Sequence, residues 1–382
     1  MDKIRILGSS FTEDEYQLYG FDRLEDPADA MRYLSHRQNH EIYRPAVNRG
    51  YQQHLLEDKW VSQLFLNALG IPVPKTYGLF HPRFGITPDG SPMRTPEHVA
   101  STLERHLPSR FVLKPRGGRQ GHNIIVVKLR RGVDGSIQTE HDGQSMPLTT
   151  FLANLPNDAF GDYGGCYHGW LVQDYLQQHD FLGHINPHTV NSLRVVTFID
   201  TNDEIRIPHA VLRLGREGSA ADNWDKGGLS VAVDQNTGTL GRGVFKIRYG
   251  GDWVSEHPDT SVHFEGQQIP NWNSILDICK RAAATMSGVR AIGWDVALTP
   301  SGPVIIEGNS TWGLPVLQVH TKGFLTDETR RELELLGARF PDRPRPLPAA
   351  LVALLVYQWR RSRGPRLMAA LRERIGSTFH LV

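Results

Sequence analysis

The segment GWDVALTPSGPVIIEGN (293–309) holds the residues most suited to chemistry in this sequence. Two apolar runs flank a Pro-Ser-Gly turn, and a glycine in third place is typical of a three-residue hairpin loop. Symmetric pairing about the central serine places Asp295 opposite Glu307, unless a bulge shifts the register by one residue. Asn309 lies two residues beyond Glu307 and therefore on the same face of its strand.

Asp295, Glu307 and Asn309 together have the composition of a metal site. Two facing carboxylates, roughly 5 Å apart at Cβ, repel each other. A hard cation between them removes that repulsion, and Mg²⁺ prefers oxygen ligands and also holds phosphates. The pattern predicts a Mg²⁺ site, and the alternative is a solvated hairpin that carries two unrelated acids.

A glycine-rich loop between two strands is the second such feature, in VLKPRGGRQGHNIIVV (112–127). Backbone N–H groups of such a loop approach phosphates closely, and Lys114 adds a positive charge. The lysine precedes the glycines, so this is not a Walker A loop. The alternative is a plain β-hairpin with a basic tip.

An apolar strand that leads into acids and amides, WLVQDYLQQHD (170–180), is the third feature. The backbone of a strand leaving its sheet offers an adenine ring both a donor and an acceptor. Gln173 would reach the exocyclic amine, and Asp180 would accept hydrogen bonds from ribose hydroxyls. The alternative is an ordinary edge strand.

Two arginines, Arg194 and Arg213, lie within apolar strands. An arginine buried in this way costs free energy unless it is paired. A phosphate or carboxylate ligand matches the guanidinium fork, and a salt bridge to an internal acid is the alternative. The following polar loop DNWDKGG (222–228) contains Asn223 and Lys226 and would close over an anionic ligand.

The elements that must position these residues are mostly strands. The apolar runs of strand length are 110–115, 123–129, 171–176, 192–200, 204–214, 229–234, 291–299 and 302–309. Helical spacing of apolar residues predicts helices over 55–69, ending at Gly70, and over 273–288. The strands and helices lack a strict βαβ alternation, which favours α+β lobes with largely antiparallel sheets.

Composition limits the class of protein. The 382 residues include 39% hydrophobic residues, enough for a large core and for two or three lobes. The net charge of +1 argues against a protein that grips nucleic acid, and two cysteines exclude a disulfide framework. There is no apolar run of membrane-spanning length and no leader-like start, so a cytoplasmic enzyme is expected.

The segment after about residue 325 is expected to be helical, and its end is strongly basic. RRSRGPRLMAALRERIG (360–376) combines arginines with an apolar stripe. The pattern favours a surface helix that docks on the main body. Contact with a membrane surface or an acidic partner is the alternative.

In this order, the features resemble the ATP-grasp superfamily, and most closely its sugar-transfer-associated branch. The resemblance covers about residues 50–327. The matching stretches are DKWVSQLFLNALGIPVPKTYG (58–78), FVLKPRGGRQGHNI (111–124), LVQDYLQQH (171–179), VNSLRVVT (190–197), LRLGREGSAADNWDKGG (212–228), HPDTSVHFEGQQIPNW (257–272), the 293–309 hairpin and LQVHTKGFLTD (317–327).

The resemblance implies an α+β ATP-grasp fold in which two lobes sandwich ATP. The expected divisions are an N-terminal, mostly helical lobe at 1–75, a small lobe at 76–175, a large lobe at 176–327 and a helical C-terminal extension at 328–382. The N-terminal lobe would help to hold the acceptor.

The resemblance also implies roles for individual residues. Those expected to bind the nucleotide are Lys59, Lys114, Gly117, Gly118 and Gly121 at the phosphates, Gln173, Asp174 and Leu176 at adenine, Asp180 at the ribose, and Asn223 in the closing loop. Asp295, Glu307 and Asn309 would bind Mg²⁺. Better-known ligases of the superfamily, such as the D-alanine–D-alanine ligases, carry an arginine where this chain has Gly293. Arg194, Arg213 and Lys226 are therefore the candidate catalytic cations.

The activity implied is an ATP- and Mg²⁺-dependent carboxylate–amine ligase that works through an acylphosphate and releases ADP and phosphate. Its expected partners are a small carboxylate and an amine, with amino acids and peptides among the candidates, and a homo-oligomer is left open. Two alternatives are a small-molecule kinase on the same scaffold and a non-catalytic nucleotide-binding partner protein.

Overall fold

The computed structural model describes residues 1–48, 53–106, 108–118, 123–132, 136–156, 167–219 and 222–357. The chain divides into two compact units. The first, here called the sheet unit, is Val47–Gly313, and the second, the terminal unit, combines Met1–Ala46 with Leu314–Val382. The finer lobe boundaries proposed from the sequence remain predictions.

The helices of the described residues are mostly short. The α-helices are α1 (Asp2–Leu7), α2 (Glu13–Leu18), α3 (His36–Gln38), α4 (Arg44–Val47), α5 (His54–Glu57), α6 (Lys59–Ala68), α7 (Pro96–His106), α8 (Leu148–Ala153), α9 (Asp180–Ile185), α10 (Trp272–Thr285), α11 (Pro315–Gln318) and α12 (Asp327–Leu335). Residues 347–357 are also helical.

All strand pairs in the sheet unit are antiparallel, as expected. The strands are β1 (Thr76–Phe80), β2 (Arg110–Pro115), β3 (Ile125–Arg131), β4 (Ile137–His141), β5 (Gln144–Pro147), β6 (Trp170–Asp174), β7 (Ser192–Ile199), β8 (Ile205–Leu214), β9 (Leu229–Val233), β10 (Leu240–Val244), β11 (Trp253–Val254), β12 (Ala291–Thr299) and β13 (Gly302–Asn309). Every strand predicted from the sequence overlaps one of them.

Two sheets form the sheet unit. One has six strands in the order β1-β6-β2-β3-β4-β5, and the other has seven in the order β11-β10-β9-β8-β7-β12-β13. Apolar residues of α7 and α8 pack with the six-stranded sheet, and those of α10 pack with the seven-stranded sheet. The helix predicted over 273–288 is therefore confirmed as α10, with slightly different ends.

The single helix predicted over 55–69 is wrong, because the chain breaks at Asp58. Asp58 has an extended backbone, and its side chain accepts hydrogen bonds from the first turn of α6, so it caps that helix. The other end is as predicted. Gly70 has φ of +69°, and Ile71 N–H donates to the carbonyl of Leu66 at 3.0 Å, which is a Schellman ending.

The terminal unit joins the two ends of the chain. The amide side chain of Gln318 accepts a hydrogen bond from the Leu34 N–H and donates one to the Leu34 carbonyl, at 2.8 and 3.0 Å. Phe21 packs edge-on against both Phe11 and Tyr33, with ring centroids 5.1 Å apart in each pair. These contacts give the short N-terminal helices a core of their own.

Candidate active site

The β12–β13 hairpin places Asp295 opposite Glu307, as predicted. The turn between the two strands differs from the predicted one. Thr299 pairs with Gly302, so the turn has two residues rather than three. A bulge between Asp295 and Val296 then shifts the register by one and restores the predicted pair. Gly302 has φ of +119°, which only glycine adopts readily.

Three charged residues form one row across neighbouring strands. Arg194 of β7 pairs with Asp295 of β12, which pairs in turn with Glu307 of β13. Directly paired residues share a face of the sheet, so their side chains lie side by side. The alternating residues Trp294 and Val296 are fully buried on the other face in the core with α10. Apolar packing of one face therefore fixes the charged row on the other.

Two arginines hold Asp295 as a carboxylate. Arg194 donates to both oxygens of Asp295, and Arg213 donates to Oδ2 at 3.0 Å. Burial acts to raise the pKa of Asp295, but the positive charges of Arg194 and Arg213 outweigh it and leave that pKa below its ordinary value. The internal salt bridge, offered above as the alternative for these arginines, is what the structure shows.

Arg213 also contacts a second buried acid, Asp222, at 3.4 Å. Asp222 Oδ2 accepts hydrogen bonds from the N–H and hydroxyl of Ser192. Burial raises the pKa of Asp222 above its ordinary value, while Arg213 acts to lower it. Sequence reasoning missed Asp222, although it opens the polar loop 222–228 and precedes the residues that were selected there.

Glu307 is more accessible than Asp295, with 28% of its side chain exposed against 5%. Asn309 Nδ2 donates to Glu307 Oε1 at 3.3 Å, and Lys59 Nζ lies 3.6 Å from Oε2. Carboxylate and amide oxygens suit Mg²⁺, so Glu307 and Asn309 fit such an ion. Asp295 would have to share its oxygens with two arginines, and no cluster of three His, Cys, Asp or Glu suited to a metal occurs among the described residues.

Two lysines reach the same region from different elements. Lys59 is the first residue of α6, and its Nζ donates to the carbonyl of Gly118. Lys114 lies on β2, where burial lowers its pKa, the Glu307 carboxylate acts to raise it, and Lys59 acts to lower it, giving about 8. A negative charge close to Lys114 would stabilise its charged ammonium form.

The start of the glycine-rich loop is fixed to α6. Arg116 donates two hydrogen bonds to the carboxylate of Asp58, with Nε at 2.9 Å from Oδ1. Gly117 is buried, and a Cβ there would lie 2.9 Å from the Cβ of Tyr167. Gly118 is buried as well. Gly121 lies outside the described residues. Asp58 and Arg116 were not selected from the sequence, although both lie in quoted motifs.

Gln173 and Asp174 end an internal strand, so the edge-strand alternative is wrong. β6 pairs with β2 on one side and with β1, which the sequence did not reveal, on the other. Gln173 Nε2 donates to Thr76 Oγ1 at 2.9 Å, and Asp174 N–H donates to the Lys75 carbonyl at 2.8 Å. The chain leaves the sheet only after these residues.

Four further predicted residues lie beyond the strands. Leu176 is half-buried just after the end of β6, and Asp180 is the exposed first residue of α9. Asn223 Oδ1 accepts a hydrogen bond from the Asp225 N–H and so shapes the polar loop, whereas Lys226 is exposed. The structure thus brings together Lys59, Lys114, Arg194, Arg213, Asp295, Glu307 and Asn309. The nucleotide, metal and catalytic roles of these and of the other candidates remain predictions.

Gly293 lies where better-known ligases carry an arginine. A Cβ at Gly293 would lie 2.6 Å from the Cβ of Trp312, so the chain has no room for a side chain there. Arg194 approaches Asp295 from β7, the strand beside β12, and Arg213 approaches it from β8, one strand further away. The arginines of the site therefore come from β7 and β8.

Two antiparallel sheets with this hairpin define an α+β protein of the ATP-grasp class. The chain belongs to the sugar-transfer-associated ATP-grasp family, whose model matches residues 37–331. No curated protein matches it significantly. Among the described residues, no helix has both the length and the apolar character needed to cross a membrane.

Several solved structures are similar to this chain, all at low identity. The biotin carboxylase domain of the 2-oxoglutarate carboxylase of Hydrogenobacter thermophilus, solved with MgADP, ADP and bicarbonate, has 11% identity and a TM-score of 0.43, with 75% of this chain and 47% of that chain covered. N5-carboxyaminoimidazole ribonucleotide synthetase of Thermotoga maritima has 13% identity and a TM-score of 0.38, with 77% of this chain and 52% of that chain covered. D-alanyl-alanine synthetase A of Vibrio cholerae has 14% identity and a TM-score of 0.37, with 79% of this chain and 65% of that chain covered. This chain thus spans about half to two thirds of their lengths.

Proposed function

We propose that this chain is an ATP- and Mg²⁺-dependent ligase that joins a small carboxylate to an amine through an acylphosphate. One observation carries the proposal: Lys59 Nζ lies 3.6 Å from Glu307 Oε2, next to the Arg213–Asp295 pair, and the same Glu307 carboxylate acts to raise the pKa of the buried Lys114. Phosphoryl transfer depends mainly on positioning and on neutralising charge. This cluster would supply cations together with Glu307 and Asn309, whose carboxylate and amide oxygens suit Mg²⁺.

The phosphates of ATP would lie against Lys59, Lys114 and the backbone of Gly117 and Gly118, with Gly121 completing the loop. A phosphate would replace part of the charge that Glu307 now offers the lysines. Glu307 and Asn309 would hold Mg²⁺, which would neutralise phosphate charge, and Asp295 would share an oxygen with it.

Adenine would lie beside the end of β6. Because the backbone of Gln173 and Asp174 already pairs within the sheet, the free donor and acceptor would come from the segment that begins at Leu176. Asp180, at the start of α9, would accept hydrogen bonds from the ribose. Asn223 and Lys226 would close over the terminal phosphate.

The reaction has two steps. A carboxylate oxygen attacks the γ-phosphorus, the bond to the β-phosphate oxygen breaks, and ADP leaves. The amine then attacks the acyl carbon, loses a proton and displaces phosphate, which forms the amide. Arg213 and Arg194 would steady the negative charge of the transferring phosphoryl group.

The test begins with a screen for ADP release over amino acids and small carboxylates, each with and without amines. Oxygen-18 in the carboxylate of an active acid should appear in the released phosphate. Hydroxylamine should trap a hydroxamate when the amine is left out. Release of AMP and pyrophosphate would contradict the acylphosphate, and a stable phosphoester formed without an amine would identify a kinase instead.

A further inference from the structure

The β12–β13 hairpin carries one extra residue on β13. Val296 pairs with Ile305, and Asp295 pairs with Glu307, so Ile306 has no register partner on β12. Ile306 is therefore the extra residue of the bulge that sets Asp295 opposite Glu307. If the register next to the turn continued without the bulge, Asp295 would pair with Ile306, and Glu307 would turn to the other face of the sheet.

The bulge leaves a backbone carbonyl for which β12 offers no partner, and a side chain of α6 bonds it. β13 is the last strand of its sheet, so the groups on its outer edge have no further strand to pair with. The Pro72 carbonyl accepts a hydrogen bond from the Ile305 N–H at 2.9 Å. Gln63 Nε2 donates to the Ile306 carbonyl at 2.7 Å. Gln63 is only 3% exposed, so this bond lies away from bulk water.

Gln63 and Lys59 act from the same side of α6. The two residues are four positions apart, which places their side chains one turn from each other on one face of the helix. Lys59 Nζ lies 3.6 Å from Glu307 Oε2, and Gln63 bonds the carbonyl of the residue just before Glu307. One face of α6 therefore contacts both the side chain of Glu307 and the backbone that carries it.

α6 is itself fixed by apolar contacts with both sheets. Trp60 and Leu64 pack with Leu79 of β1 and Leu171 of β6, in the six-stranded sheet. Leu66 is fully buried in the core of the seven-stranded sheet. A helix held on two sides in this way gives Gln63 a defined position from which to bond the bulge.

We propose that Gln63 is a positioning residue, which keeps the bulge at Ile306 and thereby holds Glu307 opposite Asp295. The inference deepens the proposed function and rests on it only for what Glu307 then does, which is to bind Mg²⁺. Without its donor, the Ile306 carbonyl would lose its partner, and the bulged register would lose stability relative to the register without a bulge. In that second register Glu307 would face the apolar core that contains Trp294 and Val296.

The first test does not depend on activity. A carbodiimide joins a carboxylate to a neighbouring amine, so it should link Lys59 to Glu307 in the parent chain, and mass spectrometry measures the yield. Lys128 and Glu140, which lie 3.2 Å apart, give a reference cross-link in the same chain. Gln63→Met keeps the approximate volume and removes the donor. It should lower the Lys59–Glu307 yield, relative to the reference, about tenfold.

Ser62→Ala is the matched control for this test. Ser62 is equally buried on the same helix, at 2% exposure, and its hydroxyl bonds no other group among the described residues. Its cross-link yield should equal that of the parent. Gln63→Leu is a second variant of similar volume, and thermal unfolding shows which Gln63 variant keeps the parental fold. A parental cross-link yield in that variant, or an equal loss in Ser62→Ala, would overturn the proposal.

The second test connects the bulge to catalysis. Gln63→Met should lower kcat for ADP release about tenfold in the parent chain but hardly at all in Glu307→Gln, where the carboxylate that it positions is already gone. A purely structural role would lower kcat by the same factor in both chains, and that result would contradict the inference. If Glu307→Gln keeps the parental rate while Gln63→Met loses the cross-link, the metal assignment fails and the positioning role of Gln63 stands.

Discussion

Glu307 differs from the other acids of the site at the level of single residues. Asp295 and Asp222 are buried against arginines, whereas Glu307 is partly exposed and lies 3.6 Å from Lys59. Glu307→Gln keeps the shape and removes the charge. We expect the rate of ADP release to fall by at least about a hundredfold, because the site would lose the carboxylate that we propose binds Mg²⁺.

The steady-state rate with an active acid and amine measures this effect, and circular dichroism checks the fold. Glu265→Gln is a matched control at a half-buried glutamate elsewhere in the sheet unit. ADP release at the parental rate from Glu307→Gln would remove Glu307 from the proposed metal site.

The lowered pKa of Lys114 leads to a prediction of how nucleotide binding depends on pH. Its pKa is lowered to about 8, chiefly by burial, and phosphates nearby would favour the charged form and raise it. Binding should therefore take up a proton near that pH. Affinity for ADP should be flat below pH about 8 and should fall by up to about tenfold per pH unit above it.

Titration calorimetry in buffers of different ionisation enthalpy measures both the affinity and the proton uptake. Lys114→Arg gives the comparison, because a guanidinium stays charged throughout this range. Its affinity should show a flatter profile, whatever its absolute value. An affinity of the parent chain that does not change across this range would exclude Lys114 from the phosphate site.

The tie between α6 and the glycine-rich loop predicts an effect at the scale of elements. Asp58 caps α6 and also accepts two hydrogen bonds from Arg116, the first residue of the glycine-rich loop. Asn is as good a cap as Asp, so Asp58→Asn removes the ion pair and keeps the helix start. Without the tie, the loop must be ordered by ATP itself, and KM for ATP should rise roughly tenfold.

Hydrogen exchange of peptides within 108–118 checks that the loop, and not the whole fold, has loosened. Exchange there should be faster in Asp58→Asn and should slow when an ATP analogue and Mg²⁺ are added. Arg206→Gln breaks another arginine–aspartate pair, that with Asp200, and should leave KM for ATP unchanged. A rise of KM in both variants would point to general destabilisation.

The hairpin shows what the sequence could predict at this scale. Alternation along β12 and β13 fixes which side chains share a face, so the Asp295–Glu307 pair was predictable. The turn length was not, because a two-residue turn with a bulge and a three-residue loop give the same pair. The strands β4, β5, β10 and β11 were missed because they are short and carry a weak apolar pattern. The strand β1 was missed as well, because it has only five residues and a glycine at its centre.

The sequence also could not predict which residues far apart in the chain contact each other. An arginine within an apolar strand indicates a buried anion, but not whether that anion is a ligand or an internal acid. Arg194 and Asp295 are 101 residues apart, and only the pairing of β7 with β12 brings them together. Arg116 and Asp58 depend in the same way on where α6 lies, which no local pattern specifies.

At the scale of the whole molecule, the chain divides into two units, so we expect a substitution in the core of the terminal unit to destabilise that unit alone. Gln318 is fully buried and bonds both backbone groups of Leu34, so it joins the two chain ends within the terminal unit. Gln318→Leu keeps the approximate volume and leaves the N–H and carbonyl of Leu34 without these partners. Each buried polar group left unpaired costs about 1–3 kcal/mol, so the terminal unit should lose roughly 2 kcal/mol or more.

Hydrogen exchange around Leu34 measures this loss where it occurs, because the Leu34 N–H is one of the two bonded groups. Exchange there should be about thirtyfold faster or more, which is the rate change that corresponds to roughly 2 kcal/mol if opening limits exchange. Gln17→Leu is the control, since Gln17 is an exposed glutamine of the same unit. ADP affinity should not change in either variant, because every proposed nucleotide contact belongs to Val47–Gly313. Parental exchange at Leu34 in Gln318→Leu would mean that this side chain does not hold the two ends together.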